Sequence, residues 1–491
     1  MTLSFDAIPV DLRTPGAAIE IINTGALRGL PGMPTKILVT GQRLATGTVA
    51  ADTPIRVLSE AAAEEYFGRG SQLHLMFRAL KKNNSWTEVW AIAKDDLVAG
   101  VQAAGNILFG GAVTVAGTLN IYLGGQRIRV GVATTDTPAN VATNVAAAIV
   151  AKTDLSVTAA VNGVTPEQVD ITARHKGENG NDIDVRVNYY SGEVLPGGLT
   201  ATVTAMAGGS GNPDLSTVIA TMGSEWYTDI VCAWSDAANL TALEAELLSR
   251  FGPLTMMDAH TYIGASGTHA ALTTLGNSRN SPHVSIIGAK KSPTEPCQWA
   301  AALGGVCAYY AKIDPARPFQ TLPLKGVMAP VVEDRFTMNE RNLLLFDGIA
   351  TWKVDDGGIV LVERVITTYK TNAAGIEDVS YLDLNTMKTL AYLRYSVRAR
   401  ILLKFPRFKL ANDGTRFGAG QAIVTPKIIR AELIALFWQW EDAGLVENID
   451  QFKTDLIVER DANDANRINA LIPPDVINQF RLFAGQVESR L

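Results

Sequence analysis

The sequence predicts a multidomain α/β protein: an α/β core interrupted by a mostly β insertion, then a C-terminal α/β unit, with extended strand arms at both termini. Three observations carry this prediction. Strand-like and helix-like runs alternate from about residue 212 to 315. From about 99 to 207, Gly, Ala, Thr and Val dominate, and no tryptophan occurs between Trp90 and Trp226 although the chain has eight. From 384 onward, two long amphipathic patterns are followed by short strand patterns.

Residues 1–25 read as an N-terminal arm. IPVDLRTPG carries two prolines and a glycine, which disfavour helix, and AAIEIINTG then alternates Ile19 and Ile21 with Glu20 as a strand does. Such a strand precedes any core, so it needs either an edge of its own domain or a neighbouring chain. Residues 26–98 read as strand, helix, helix, strand. KILVTG is a short apolar run, SEAAAEEYFG has a cap at Ser59 and a stop at Gly68, and Leu73, Met76, Phe77 and Leu80 fall at helical spacing. TEVWAIAKD completes this part as a buried strand.

The insertion, 99–207, opens with TLNIYLGGQRIRVGV, two alternating strands around Gly124-Gly125, a hairpin signal. VDITARHKGENGNDIDVRVNYY repeats that pattern around a polar loop, ANVATNVAAAIVAK is one helix, and GGSGNPD closes the region as a linker. In the core, 208–383, YTDIVCAWS, MMDAHTYIGAS and PHVSIIGAK are strands, each followed by a helical pattern. This rhythm predicts a parallel sheet covered on both faces, completed by residues 26–98. The stretch 318–383 reads as extended and looped, with one helix at MNERNLLLFDG and a strand at GIVLVERVITTYKT.

The C-terminal α/β domain, 384–475, starts with LNTMKTLAYLRYSVRARILLKF. Met387, Leu390, Val397 and Ile401 share one side, and Lys388, Arg394, Arg398 and Lys404 lie largely elsewhere. A second helix has Thr425 at its cap, Pro426 in its first turn and Gly444 past its end, and QFKTDLIVER reads as a strand. After the Pro473-Pro474 break, 476–491 places apolar residues on both faces, the pattern of a C-terminal strand arm buried inside a sheet.

Composition narrows the function. The formal charge of -6 on 491 residues argues against a nucleic-acid-binding protein. Cys232, Cys297 and Cys307 form no CxxC pair and fit free thiols in a reducing compartment. The start carries acidic residues and no apolar h-region, unlike a signal peptide, and no run approaches the ~18 apolar residues of a membrane span. No cofactor or metal motif is present: there is no HExxH, no EF-hand loop, and no GxGxxG between strand and helix. GENGND (177–182) has calcium-like donors but reads as a turn. GGSGN (208–212) lacks the Lys-[Ser/Thr] of a phosphate loop and reads as a linker. Among the five histidines, GASGTHA, with Ser266 and His269, comes nearest to a catalytic motif, and it reads as a strand-to-helix turn with a capping serine. These observations count against a catalytic site.

Taken in order, IPVDLRTPGAAIEI, MPTKILVTGQRLATGTVAADTPIRVLSEAAAEEYFGRGSQLHLMFRAL, WTEVWAIAKDD, GIVLVERVITTY, YLDLNTMKTLAYLRYSVRARI, KLANDG, IVTPK, GLVEN and INQFRLFAGQVESRL resemble contractile-tail sheath proteins, particularly those of Mu-like phages. The resemblance spans most of the chain except 99–207. It implies a subtilisin-like α/β core that serves as scaffold, an outward-projecting insertion, and an inner C-terminal domain that touches the tail tube. It also implies a structural subunit without cofactors, assembled in the host bacterial cytoplasm and carried in the virion. Its partners would be copies of itself in stacked hexameric rings, the tail tube protein, and baseplate and tail terminator proteins, with no nucleic acid and no membrane insertion. Contraction would drive the tube through the host envelope.

Within that frame, Ile19, Ile21, Phe480, Leu482 and Phe483 are the candidate apolar anchors of strands exchanged between subunits. The basic residues Arg394, Arg398, Lys404, Arg407, Lys427 and Arg430 are candidates for contact with an acidic tube, against the plainer reading of a solvated helix face. The sheath of an R-type bacteriocin or another contractile injection system shares every one of these features. A serine hydrolase on a subtilisin-like fold, a Rossmann-like enzyme and a secreted adhesin are the competing classes. The first two lack their motifs, and the third lacks a signal peptide and paired cysteines.

Overall fold

The structure, a computed structural model, describes residues 29–418 and 420–490. The predicted strand at Ile19 and Ile21 lies outside the described residues. The chain divides into two compact units, one of residues 34–391 with the tail from 478, the other of residues 392–477 with the segment up to 33.

The larger unit opens with strands β1 (Lys36–Gln42) and β2 (Pro54–Arg56), helices α1 (Glu60–Phe67) and α2 (Gln72–Asn83), and strand β3 (Glu88–Lys94). The Ser59 hydroxyl accepts from the Ala62 N–H and starts α1, as its sequence implies. Strands β4 (Gln102–Gly110), β5 (Gly117–Leu123) and β6 (Gln126–Val132), helix α3 (Pro138–Ala151), and strands β7 (Val157–Val161), β8 (Gln168–Lys176), β9 (Val185–Val187) and β10 (Thr200–Ala207) follow. They form a four-stranded sheet, β10-β4-β8-β7, and a three-stranded sheet, β6-β5-β9, around a hydrophobic cluster of their own. Gly124 and Gly125 both take positive φ in the β5–β6 turn, which is why two glycines stand there. The predicted second hairpin does not form. β8 and β9 join different sheets, because the polar run Glu178–Asp182 makes a 3-10 turn instead of a tight reversal.

The chain then returns through α4 (Ser216–Met222), β11 (Asp229–Cys232), α5 (Ala237–Phe251), β12 (His260–Ser266), α6 (His269–Asn277), β13 (Val284–Ala289), α7 (Pro296–Ile313), α8 (Met338–Phe346), β14 (Ile349–Val354) and β15 (Val360–Arg364). One eight-stranded sheet results, in the order β15-β14-β13-β12-β11-β1-β3-β2. All neighbours from β14 to β3 are parallel, and β15 and β2 close the edges antiparallel. β14 is a strand within the stretch that reads from the sequence only as extended and looped.

Both faces of this sheet are covered. Gly304 of α7 lies so close that a Cβ there would stand 2.6 Å from Val231 and 3.0 Å from Tyr262. Gly288 of β13, in register with Ala265 and therefore on the opposite face from Tyr262, meets Leu272 of α6. Strands buried on two faces must be apolar throughout, and the six residues of β13 are all buried.

The smaller unit contains most of α9 (Leu384–Lys404), then β16 (Lys409–Leu410), β17 (Ile423–Val424), α10 (Pro426–Asp442), β18 (Val446–Glu447), α11 (Ile449–Asp455), β19 (Ile457–Arg460), β20 (Ile468–Leu471) and β21 (Asp475–Val476). Phe437 stacks on Phe452 at 4.2 Å, and the Trp440 indole N–H donates to the Ser396 hydroxyl at 2.9 Å. The first half of QFKTDLIVER is helical here, since Phe452 is drawn into this core, and only its second half pairs as β19. Tyr392 and Tyr395 donate their hydroxyls to the carbonyls of Pro31 and Gly32 at 3.1 and 3.2 Å.

Lys388 departs from its expected place on the outer side of α9. It is buried, with its Nζ 2.7 Å from the Asp229 carboxylate, and the two side chains are 9% and 2% exposed. Tyr262 and Thr228 donate to the same carboxylate at 2.8 and 2.9 Å. Helical spacing explains the placement. Lys388 stands four residues after Leu384 and three before Ala391, both buried, so it falls within the apolar stripe. Removing one partner of such a pair leaves an uncompensated buried charge. Lys388→Met is therefore expected to destabilise the larger unit by ~3–5 kcal/mol in urea unfolding; a loss below about 1 kcal/mol, the size of a surface pair, would contradict this role.

Candidate functional site

A doubly wound sheet binds ligands outside the carboxyl ends of its strands, where the strand order reverses. That point here lies between β1 and β11, and the insertion's own chain fills it. The Gln42 side chain at the end of β1 donates to the Asp96 carboxylate at 2.8 Å and to the Lys176 carbonyl at 2.7 Å. Asn179 donates to the Ala233 carbonyl, just past β11, at 3.0 Å. His175 places Nδ1 at 2.9 Å from Asp96 and accepts the Gln72 backbone N–H at Nε2 at 3.1 Å, so its proton sits on Nδ1. Burial opposes the Asp96 charge, but the hydrogen bonds from His175, Lys176 and Gln42 prevail and hold its pKa below the usual value. Ser156 hydrogen-bonds the fully buried Glu295. The space left is about 20 Å³, enough for roughly one water. The crevice is a seam joining insertion to core.

A serine–histidine pair exists, but in a different place from the one the sequence marks. His260 Nε2 lies 2.8 Å from the Ser285 hydroxyl at the amino ends of β12 and β13. Both residues are buried, and the Ser285 hydroxyl donates to the Ile366 carbonyl at 2.6 Å. His260 therefore donates to serine instead of accepting its proton. Burial, then Lys388 and His283, push the His260 pKa well below its usual value. The nearby Asp229 carboxylate is committed to Lys388. Ser266 and His269 form no such pair: Thr268, not Ser266, caps α6, and His269 Nε2 lies 3.2 Å from the Glu340 carbonyl. Nucleophile, base, carboxylate and substrate access do not converge.

The polar loops are structural. Asn212 accepts the Glu178 N–H at 2.8 Å and donates to Asp236, the cap of α5, at 2.9 Å. Ser210 bridges to Val101, so GGSGN ties the insertion's exit to its entry. Among the described residues, no cluster of three or more His, Cys, Asp or Glu is placed to hold a metal ion.

The remaining candidates lie at the surface. Phe480, Leu482 and Phe483 are 74%, 80% and 80% exposed, and the segment from 478 forms no strand among the described residues. Of the strand expected at 476–491, only Val476 is paired, with Val446 of β18; among the described residues, 478–490 join no sheet edge. Of the basic residues, Arg398, Arg407 and Lys427 are exposed and Arg394 is half-buried. Lys404 is paired with Glu432 at 2.7 Å, alongside the buried Arg400 at 3.2 Å. Arg430 donates to the Lys453 carbonyl. The six therefore do not share one open cationic face. Sequence reasoning also missed Tyr392 and Tyr395 as anchors of the 31–32 segment; nothing in local spacing marks a bond to a residue some 360 positions away.

Comparison with known proteins agrees with the early resemblance. The family model described as the phage tail sheath protein central domain matches residues 208–368, and the phage tail sheath C-terminal domain matches 377–490. The Mu-like prophage FluMu tail sheath protein of Haemophilus influenzae is 44% identical over 488 residues, covering 99% of each chain. Among solved structures, a sheath tail protein of Desulfitobacterium hafniense aligns with a TM-score of 0.48 at 14% identity, over 94% of this chain and 100% of that one. The sheath complex of an extracellular contractile injection system in its contracted state aligns with a TM-score of 0.49 at 11% identity, over 97% and 98%.

The seam also carries a pH dependence. Burial, then Glu295 and Glu178, push the Asp182 carboxyl up to about 7. Burial raises the Glu295 pKa as well. Between the ordinary carboxylate range and about 7, the folded chain keeps a proton that the unfolded chain has lost, so stability falls as pH rises through that window. Thermal unfolding from pH 5 to 8 should show this fall, and Asp182→Asn should flatten it; an unchanged slope would sink the assignment.

Proposed function

The chain belongs to the phage tail sheath family, and from that premise we propose that it polymerises around a tail tube by exchanging terminal strands between copies, then contracts to drive the tube through a host envelope. It is a structural subunit and a virion component, not an enzyme. The observation that carries this reading is the identity of 44% sustained over 99% of both chains. Purified intact chain examined by negative-stain electron microscopy should form tubes; a chain that stays monomeric under all assembly conditions would overturn the proposal.

The two-faced parallel core supports the reading of a subtilisin-like scaffold without its chemistry. The apolar, exposed tail at Phe480, Leu482 and Phe483 supports strand addition to a neighbour. Main-chain hydrogen bonds would contribute ~0.5–1.5 kcal/mol each, and each fully buried large side chain ~1.5–3 kcal/mol. Ile19 and Ile21 would serve the same purpose at the other terminus. Contraction then becomes a collective turn of rigid subunits about short links, such as the segment near Pro473-Pro474, while the strands stay paired. Deleting residues 1–20 should leave a folded monomer that makes no long tubes, and normal tubes in micrographs of the truncated chain would refute strand exchange by that arm.

Tube contact by the smaller unit falls to its exposed cations, Arg398, Arg407 and Lys427. Pairs of this kind contribute only ~0–1 kcal/mol each, so many can hold register and still break together. Arg398→Glu is expected to weaken capture by tube protein in a pull-down while sparing self-assembly. Lys404→Glu is a poorer test, since it also disturbs Glu432. Undiminished capture by the Arg398 variant would remove that residue from the interface. Baseplate and tail terminator proteins complete the proposed set of partners.

A further inference from the structure

The C-terminal tail, from 478, returns to the larger unit, yet almost no apolar burial holds it there: Phe480, Leu482, Phe483 and Val487 are 74–96% exposed. Polar contacts fix it, the shortest at Arg481. Arg481 Nη1 lies 2.8 Å from Asp383 Oδ1, with the two side chains only 24% and 19% exposed. Arg364, at the end of the edge strand β15, grips the same carboxylate with two bonds of 3.1 and 3.2 Å. Gln320 donates to the Phe480 carbonyl at 3.4 Å, and Arg481 also bonds the Gln479 side chain. Gln479, Arg481 and Leu482 form part of the wall of a cleft of about 450 Å³ that Met338, Asn342 and Leu345 also line. The tail thus spans open space at this point and rests on its guanidinium.

Asp383 directly precedes Leu384, the first residue of α9. Its carboxylate therefore ties together the sheet edge, the start of α9 and the returning tail. A carboxylate shared by two guanidiniums gives directional, charge-assisted bonds that fix geometry as well as proximity.

We propose that Arg481 is the anchor of the C-terminal arm: its pair with Asp383 holds residues 478–481 on the subunit's own core, so that the segment offered to a second copy of this chain begins at Leu482. This rests on the strand-exchange reading above. It divides the arm into a fixed root and a donated part, with Leu482, Phe483 and Val487 as the side chains that enter the neighbour. Arg481 acts as a positioning residue, because a fixed root limits the volume the arm explores before it meets its partner and so lowers the entropy lost on pairing.

A spin label at Asn478→Cys on the full-length monomer reads the mobility of the root directly. Raising salt from about 0.1 M to about 1 M shortens the screening length from ~10 to ~3 Å and should sharpen the label's spectrum, whereas a label on α3 should not change. Arg481→Ala should reproduce that gain in mobility at low salt and cut tube yield about tenfold, and Arg481→Lys, which keeps the charge, should recover part of it. Salt-independent mobility at 478, or tubes from Arg481→Ala at the yield of the unaltered chain, would overturn the anchor. Deletion of 482–491 tests the arm itself: tubes from that truncated chain would overturn strand donation, whereas loss of tubes there with full assembly by Arg481→Ala would leave donation standing and remove only the anchor.

Discussion

The buried carboxylate of Asp229 is the constraint on which the larger unit turns. A charge 2% exposed at the amino end of a central strand has to be matched, and Lys388 matches it at 2.7 Å with Tyr262 and Thr228 taking the remaining lone pairs. The match fixes the first turn of α9 on the sheet. What lies around that turn inherits the placement: Asp383 just before it receives Arg364 and Arg481. The burial that silences His260 and Ser285 belongs to the same layer beneath the strands.

An α/β sheet of this order normally has an opening at its carboxyl edge, and this chain closes it with its own insertion. The closure uses directional polar contacts at Gln42, Asp96, His175, Asn179 and Glu295 instead of apolar packing. Such contacts fix the orientation of the insertion on the core. A firm joint would suit the proposed sheath subunit, which needs no crevice. The acidic members of the seam remain a point of weakness, since Asp182 and Glu295 repel each other once both are charged.

Polar footings hold the chain near both ends of the described residues. Tyr392 and Tyr395 hold the carbonyls of Pro31 and Gly32, and Asp383 holds Arg481. At the C-terminal footing, the apolar side chains beyond Arg481 stay uncovered. In a monomer, uncovered Leu482, Phe483 and Val487 are a liability. In the proposed polymer of exchanged strands, a neighbouring copy would cover them.

The sequence by itself determined the rhythm of the core, because period and composition are local. Strands buried on both faces read as KILVTG and VSIIGA, helices announce themselves through caps such as Ser59 and through the spacing of Leu73, Met76 and Leu80, and Gly124-Gly125 marks its hairpin. It also showed, through an ordered series of motifs, which family the chain belongs to. Only the tertiary structure decided which strands pair. β8 and β9 alternate as a hairpin would yet belong to separate sheets, and the terminal run at 476–491 reads as a buried strand, yet past its pairing at Val476 the described residues 478–490 join no sheet. The candidate basic face was legible as a list of cations. Which of them are already taken, as Lys404 is by Glu432 and Arg430 by the Lys453 carbonyl, depends on groups brought close by folding. The alternation of residues records how a segment is to be buried, but the identity of its covering partner is a long-range fact that no local pattern contains.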